Sequence, residues 1–592
     1  MKHWNIFRFG SGGTVRSPGR HVRALVLGVV GVSMLALAGC GAGPVSSGSS
    51  VSHPSALNIA MYPQTDVTWW PPLIPANNCG TVTGGPGGGM WTYVPLLMMN
   101  SAAQVDYSQS IADNVTYNKA GTVYVVHLNP KWHWSNGQPV TAQDAAYWFT
   151  LASAASNPNA PVFYCYAGTG GVPTAYKSVQ ATGKYTLTIT TKAPQNPQWF
   201  IYNSIAQFIP LPKAQWDRYS NPTQELNWIK SISNSPTNPV YQVTDGAYLF
   251  KKAVTNQYYE FVANPNFSGS PKAHIKKVFY DYETSYSSIF AALKKGAVQY
   301  APYDSTLWAD RAQLTNDTIL STPQYGFYYG LTNFESNAQT VGPVFQDLAV
   351  RQAMQYGINQ PAIIKDFYYG QATPTYTPVP TIASWYDKSL KNPYPFNLAK
   401  GRAVLIANGW HMVNGVMEKN GKQLKFQALL PTGAPVLLHI AEYEQAEWAK
   451  EGIDVTLKTL SLDAFINIIG ANPATAPKWA FAFGAEWFYI PDYFPSGDGL
   501  VTTNGGYNFD YYNNSTDLDP HMTALINKLT GPATLSQTRQ AFYQYEQYAA
   551  HQLPMLYFPT PTALTAVSTN LGGMKAYNDL YSETNVQNLY WK

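Results

Sequence analysis

The chain has 592 residues, room for about three or four domain-sized units. Charged residues make up only 12% and aromatics 14%, with 43 tyrosines and 17 tryptophans, a composition that excludes a disordered chain. The formal charge of +4 comes from the N-terminus: residues 1–39 hold Lys2, Arg8, Arg16, Arg20 and Arg23 and no acid, and removing these five cations takes +4 to −1, which excludes the basic footprint of a nucleic-acid binder.

In chain order, the basic region ending at Arg23 is followed by the apolar run Ala24–Gly39, too short for a stable membrane span. Together they read as an export signal over residues 1–39. Leu37-Ala38-Gly39-Cys40 resembles the lipobox of bacterial lipoproteins, which implies that Cys40 becomes the lipidated first residue of the mature chain. Acyl chains contribute about 0.8 kcal/mol per buried methylene, so such a Cys40 would hold the protein to a membrane. Residues 40–56 are rich in Gly and Ser and read as a flexible tether. The other two cysteines, Cys79 and Cys165, could form one disulfide in an oxidising exterior; the sequence leaves open whether they meet.

Leu57–Met61 reads as a short strand, the first of a central sheet. Gly84–Gly89 is a flexible loop: it lacks the Lys-Ser/Thr ending of a phosphate loop. Residues 122–149 form a strand–turn–helix unit. Val123–Leu128 alternates as a strand, and Asn129-Pro130 ends it because proline has no N–H to donate. Trp132 and Trp134 share a face, Ser135-Asn136-Gly137 is a turn, and Thr141 before Ala142-Gln143-Asp144 is a capping-box start for a helix with Tyr147, Trp148 and Phe149 on it. Residues 184–192 alternate strongly as a strand, and 287–296 read as a helix stopped at Gly296.

Leu128, Trp134, Gly137, Pro139, Thr141, Ala142, Asp144 and Phe149 are spaced as in the family 5 solute-binding proteins of bacterial ABC importers, typified by oligopeptide- and dipeptide-binding proteins. The resemblance continues in order. Met90–Leu97 resembles the family's first aromatic helix with the Pro-Leu-Leu after it, and Phe261–Phe267 its Arg-Asn-Pro element. Ala349–Asn359 resembles its Val-Arg-Gln-Ala helix, and Leu398–Trp410 the helix ending in Ala-Gly-Trp. The resemblance implies an α/β, two-lobed periplasmic-binding-protein fold, class II, with an extra subdomain and a hinge between the lobes. It assigns 57–97, 236–325 and 560–592 to lobe I, 98–235 to the subdomain and 326–559 to lobe II. It also implies a monomer that passes a peptide-like ligand to ABC transporter permease subunits, with no cofactor. In that fold Arg351 is a structural ion-pair residue.

Peptide-binding members carry an aspartate three residues after a tryptophan, where it pairs with the ligand's α-ammonium group. Here the position three after Trp487 is Ile490; the nearby acids are Glu486 and Asp492. Either acid could replace the anchor through a local shift, the ligand could be an oligosaccharide or another uncharged solute, or peptides could be held mainly through their backbone with the anchor dispensable. The site residues implied by position in the motif are Trp487, Tyr489, Asp492, Tyr507 and Asn508, with Trp69 and Trp70 after the first strand. An extracellular hydrolase is the rival class, and two carboxylates across a cleft would suit a glycosidase. No Gly-x-Ser-x-Gly elbow and no His-Glu-x-x-His helix is present, and the ten histidines show no metal-ligand spacing. A sensor or adhesion protein would share the fold and anchor.

Overall fold

The computed structural model describes residues 56–61, 63, 67–78, 91–470, 475–503, 505–512, 518–574 and 585–592. The signal segment, Cys40, most of the tether, Cys79 and the loop at 84–89 lie outside the described residues. Among the described residues no helix is long and apolar enough to cross a membrane.

A seven-stranded mixed sheet forms the first lobe, in the order Asp317–Thr322, Ala563–Ser568, Tyr300–Pro302, Ala56–Ala60, Lys277–Asp281, Tyr258–Ala263 and Tyr248–Val254. The first strand of the chain is thus its middle one. It runs parallel to Lys277–Asp281 with Leu57 opposite Val278, and all five of its residues are buried, as expected of a strand covered on both faces. The second lobe has a five-stranded sheet ordered Asp454–Leu460, Lys425–Pro431, Phe481–Phe488, Gly326–Thr332 and Leu556–Phe558. Between the first and second strands of the first lobe, the chain makes a separate four-stranded antiparallel sheet, Ala112–Tyr117, Val123–Leu128, Thr186–Thr191 and Tyr176–Gly183.

The chain crosses between the two large sheets twice, from Thr322 to Gly326 and from Phe558 to Ala563. The crossovers are bonded to each other, Gln324 Nε2 donating to Pro561 O at 2.7 Å, and the second is tied to the strand after the first, the Tyr328 N–H donating to Thr560 Oγ1 at 3.3 Å. Two adjacent short connections are what a two-lobed fold with a hinge requires, because few backbone torsions then carry the whole relative motion.

The unit at 122–149 forms as its local chemistry dictates. Tyr124, Val126 and Leu128 point inward in alternation. Gly137 takes φ +84°, a conformation that L side chains adopt only with strain. The Thr141 N–H and Oγ1–H both donate to Asp144 Oδ2 at 2.8 Å, closing the box that starts helix Ala142–Ala155. Trp132 and Trp134 are both buried, and the Trp132 indole donates to Ser110 O at 2.7 Å. Trp148 packs on Phe208 with centroids 4.9 Å apart.

Two expectations need correction. Residues 91–97 form no helix but run as turns and extended chain. Their backbone is bonded elsewhere: Gly246 N donates to Thr92 O, Tyr248 N to Trp91 O, and Val94 N to Asp245 Oδ1 at 2.9 Å. Arg351 is structural, but its hydrogen-bond partners are backbone carbonyls and not a carboxylate. It donates to Phe345 O and Gln552 O, and its guanidinium lies 5.1 Å over Phe334. A helix such as Leu348–Gly357 can bury a charge this way because the carbonyls supply the acceptors that water would have.

Candidate functional site

The strand Phe481–Phe488 leads into the candidate site, and one bulge decides which side chains face it. Pairing with Gly326–Thr332 shifts register between Tyr329–Ala485 and Leu331–Ala482, and Gly484 sits in the gap with φ +81°. A Cβ on Gly484 would also lie 2.4 Å from Leu437 Cδ2. The extra residue reverses the alternation. Before it, Phe481 and Phe483 pack on Trp448 at 5.5 and 5.6 Å, inside the second lobe. After it, Trp487 and Tyr489 join the large core that also contains the first lobe and the subdomain. Glu486 therefore falls on the opposite side, exposed, and paired in the sheet with Tyr328.

On the Trp487 side the structure gathers four of the expected residues. The Trp487 ring lies 4.5 Å from Tyr507 and 6.3 Å from Tyr489. Tyr489 is fixed by its hydroxyl, which donates to Pro378 O at 2.6 Å. Tyr507 donates its hydroxyl to Cys165 O, on the subdomain. Asp492 is 5% exposed, and among the described residues neither its Oδ1 nor the Trp487 indole nitrogen has a hydrogen-bond partner. Burial pushes the Asp492 carboxyl well above the usual carboxylate range, and like-charged Asp498 adds to the rise. The Trp487 indole is close enough to oppose the shift without reaching hydrogen-bond geometry. Asp498 is raised by burial too, although Ser496 Oγ donates to it at 2.5 Å. Asp492 thus shares the Trp487 side and Glu486 does not.

Asn508 is placed differently. Its Nδ2 donates to Thr502 O at 3.0 Å and to Tyr512 O, which clasps the loop that carries Tyr507. Trp69 and Trp70 are not brought to this group. Trp70 packs on Phe250 at 4.8 Å and Tyr259 at 5.1 Å, and the Trp69 indole donates to Pro71 O and Leu73 O, all within the first lobe.

The sequence reading missed the residues that join the subdomain to the second lobe. Asn203 donates from Nδ2 to Phe494 O at 2.8 Å and accepts the Phe494 N–H at 2.7 Å. Asn196 donates to Leu529 O at 2.7 Å and Thr538 Oγ1 at 2.9 Å. These pairs lie some three hundred residues apart, and no local pattern marks them. Cys165 is disulfide-bonded, and its carbonyl holds Tyr507.

Comparison with known proteins gives this arrangement its context. The model of the family "bacterial extracellular solute-binding proteins, family 5 Middle" matches residues 106–508, more than half of the chain. A Brucella ovis protein named for ABC-transporter peptide binding is 25% identical over 429 residues, covering 69% of this chain and 74% of its own. The oligopeptide-binding protein AppA of Bacillus subtilis is 23% identical over 487 residues, covering 80% of this chain and 82% of its own. The solved structure of AppA with a nonapeptide superimposes with a TM-score of 0.72 at 19% identity, covering 91% of this chain and 99% of that one. NikA from Brucella suis, solved with Fe(III)-EDTA, also reaches 0.72, at 17% identity, with 91% and 100% covered. The two-lobed fold, the hinged crossovers and the matched region agree: this chain belongs to the family 5 bacterial extracellular solute-binding proteins.

Proposed function

We propose that the protein is a lipid-anchored extracytoplasmic receptor that takes a peptide-like solute into the cleft between its lobes and delivers it to the permease of an ABC transporter. The observation that carries the reading is the pair formed by Asp492 and Trp487. Both are buried, and among the described residues Oδ1 and the indole N–H lack hydrogen-bond partners, in an aromatic surrounding. An α-ammonium group entering beside Asp492 would supply the missing charge-assisted partner where no water competes. The peptide-binding names of the relatives support the same reading. The anchor is Cys40, and with Cys40 lipidated Cys79 is the remaining cysteine able to pair with Cys165. Cys40→Ser should move the protein from the membrane fraction to the soluble one; continued sedimentation with membranes would sink the anchor.

A second reading is favoured by Ile490 and by the raised Asp492 carboxyl. A protonated Asp492 would present a neutral O–H beside the Trp487 N–H, which suits an oligosaccharide or another uncharged solute. Mass spectrometry of the solute carried through native purification separates the two readings. Calorimetry with peptides bearing free or acetylated N-termini does so independently. Tighter binding of the free amine by about tenfold or more is expected for ammonium recognition (about 1.4 kcal/mol per tenfold). Equal affinities would favour the uncharged solute.

A further inference from the structure

The segment around Cys165 is held from two sides. On one side it pairs with the chain that follows Trp69 and Trp70. Cys165 N donates to Ile74 O at 2.9 Å, Ala76 N donates to Phe163 O at 2.8 Å, and Pro75 bridges Tyr164. The disulfide of Cys165 adds a covalent tie. On the other side the segment meets the second lobe. The Tyr507 hydroxyl donates to Cys165 O and lies 3.4 Å from Cys165 Sγ, and its ring is 6.2 Å from Tyr166.

The approach is close along the whole segment. A Cβ on Gly506 would lie 3.0 Å from Ala167 O, so a larger residue there would push the two strips of chain apart. Tyr507 is also braced from behind, with its N–H donating to Gly499 O at 3.0 Å. The Tyr507 ring in turn packs on Trp487 at 4.5 Å. A tie in the subdomain therefore reaches the orphan indole of the site through a single tyrosine.

We propose that the disulfide-held Cys165 is a positioning residue of the binding cleft: it fixes the carbonyl that captures the Tyr507 hydroxyl, and Tyr507 sets the Trp487 ring and latches the second lobe to the subdomain. The inference rests on the reading that the Trp487 side receives the solute; its test needs no solute. The physical basis is preorganisation. A carbonyl held by backbone pairing and a disulfide costs little further entropy when the tyrosine docks on it, so closure is retained more strongly.

The test uses the full chain labelled with 5-fluorotryptophan, with the Trp487 ¹⁹F resonance assigned by its loss in Trp487→Phe. Hydrogen exchange of segments 163–171 and 499–508 is followed in parallel. Tyr507→Phe keeps the ring and removes only the hydroxyl. We expect it to shift the Trp487 resonance and to speed exchange in 499–508 by about tenfold or more. Reducing the folded protein with a phosphine should give the same shift, and reducing Tyr507→Phe should add nothing further, because both changes break one link. Cys165→Ser is a third arm; if it fails to fold, reduction of the folded wild-type protein carries the test. The proposal is overturned if reduction speeds exchange only in 163–171 while the Trp487 resonance stays in place, or if the two effects add. If peptides fail to bind and the latch still behaves as expected, the peptide reading falls and this one stands.

Discussion

Asp144 and Asp492 are almost equally buried, at 6% and 5% exposed, and they sit in opposite settings. Asp144 accepts from the Thr141 N–H and hydroxyl and from the Lys213 N–H, all at 2.8 Å. Asp492 leaves Oδ1 without a partner and has Asp498 as a like-charged neighbour. Desolvating a carboxylate is costly, and the two regions meet that cost differently. In the 122–149 unit, burial raises the Asp144 carboxyl too, but hydrogen bonds from Lys213 and Thr141 draw it down and offset part of the cost, which is how scaffold is built. In the 487–510 segment the acid must hold a proton or receive a partner from outside the chain. The contrast sets Asp492 with the other buried acids that keep an oxygen unpartnered, Asp245, Glu444, Glu451, Glu546 and Asp510 among them, and apart from the satisfied Asp144.

The largest expected effect is on stability against pH. Asp492 is not alone. Burial raises Glu451 to about 9 and Glu546 and Asp510 to about 8, and all three side chains are almost completely buried. The Arg402 guanidinium draws Glu451 down and Arg351 draws Asp510 down, without cancelling the rise. The folded state thus keeps protons that the unfolded chain gives up above its ordinary carboxylate value. That stability is fully present below about pH 4 and is lost as pH rises through the raised values. Urea titrations should show the protein more stable at pH 4 than at pH 8 by roughly 3–6 kcal/mol. A flat profile over that range would mean that these acids have partners after all, and the contrast with Asp144 would collapse.

Substitution of the two aspartates tests the contrast directly. Asp144→Ala removes a helix cap and leaves the Lys213 N–H orphaned, so unfolding free energy should fall by roughly 2–4 kcal/mol. Asp492→Asn keeps the shape and removes a carboxyl whose Oδ1 has no hydrogen-bond partner among the described residues. Its cost without solute should stay below about 1 kcal/mol in the same titrations. Equal losses would show that Asp492 is scaffold too.

Binding gives a smaller and more specific readout. If an ammonium group pairs with Asp492, Asp492→Asn should weaken binding of a free-amine peptide by about tenfold to a hundredfold in calorimetry, because hydrogen bonds to charged groups are worth about 1.5–3 kcal/mol. The acetylated peptide should be unaffected. The smallest effect belongs to Glu486→Gln. The Gly484 bulge turns Glu486 away from Trp487, so peptide affinity should not change measurably. A clear loss there would place the solute on the other face of the strand.

Much of the fold is legible in the amino-acid sequence because its determinants are local. Thr141 and Asp144 are three residues apart, so the capping box can be read directly, and Val123–Leu128 alternates in sequence as it does in the sheet. The spacing of Leu128, Trp134, Gly137 and Asp144 carries the family resemblance for the same reason. The motif also named residues that the structure groups: the Trp487 ring lies beside Tyr489 and Tyr507, and its indole bears on Asp492. It gave no sign that Trp70 packs on Phe250 and Tyr259, which lie far along the chain, or that the Trp69 indole donates to Pro71 O and Leu73 O. It also misread residues 91–97, where bonds to 246–248 replace those of a helix.

What the sequence determined by itself is the set of local devices: the caps, the alternation of strands and the family to which they point. Only the tertiary structure decided which face of the Phe481–Phe488 strand meets the other lobe. One extra residue at Gly484 reverses the alternation, and that choice is settled by the pairing with Gly326–Thr332. Only the tertiary structure, too, placed Tyr507 on the disulfide-bonded Cys165, 342 residues away. Contacts of that separation depend on how two sheets and a subdomain pack, and packing is a property of the whole chain.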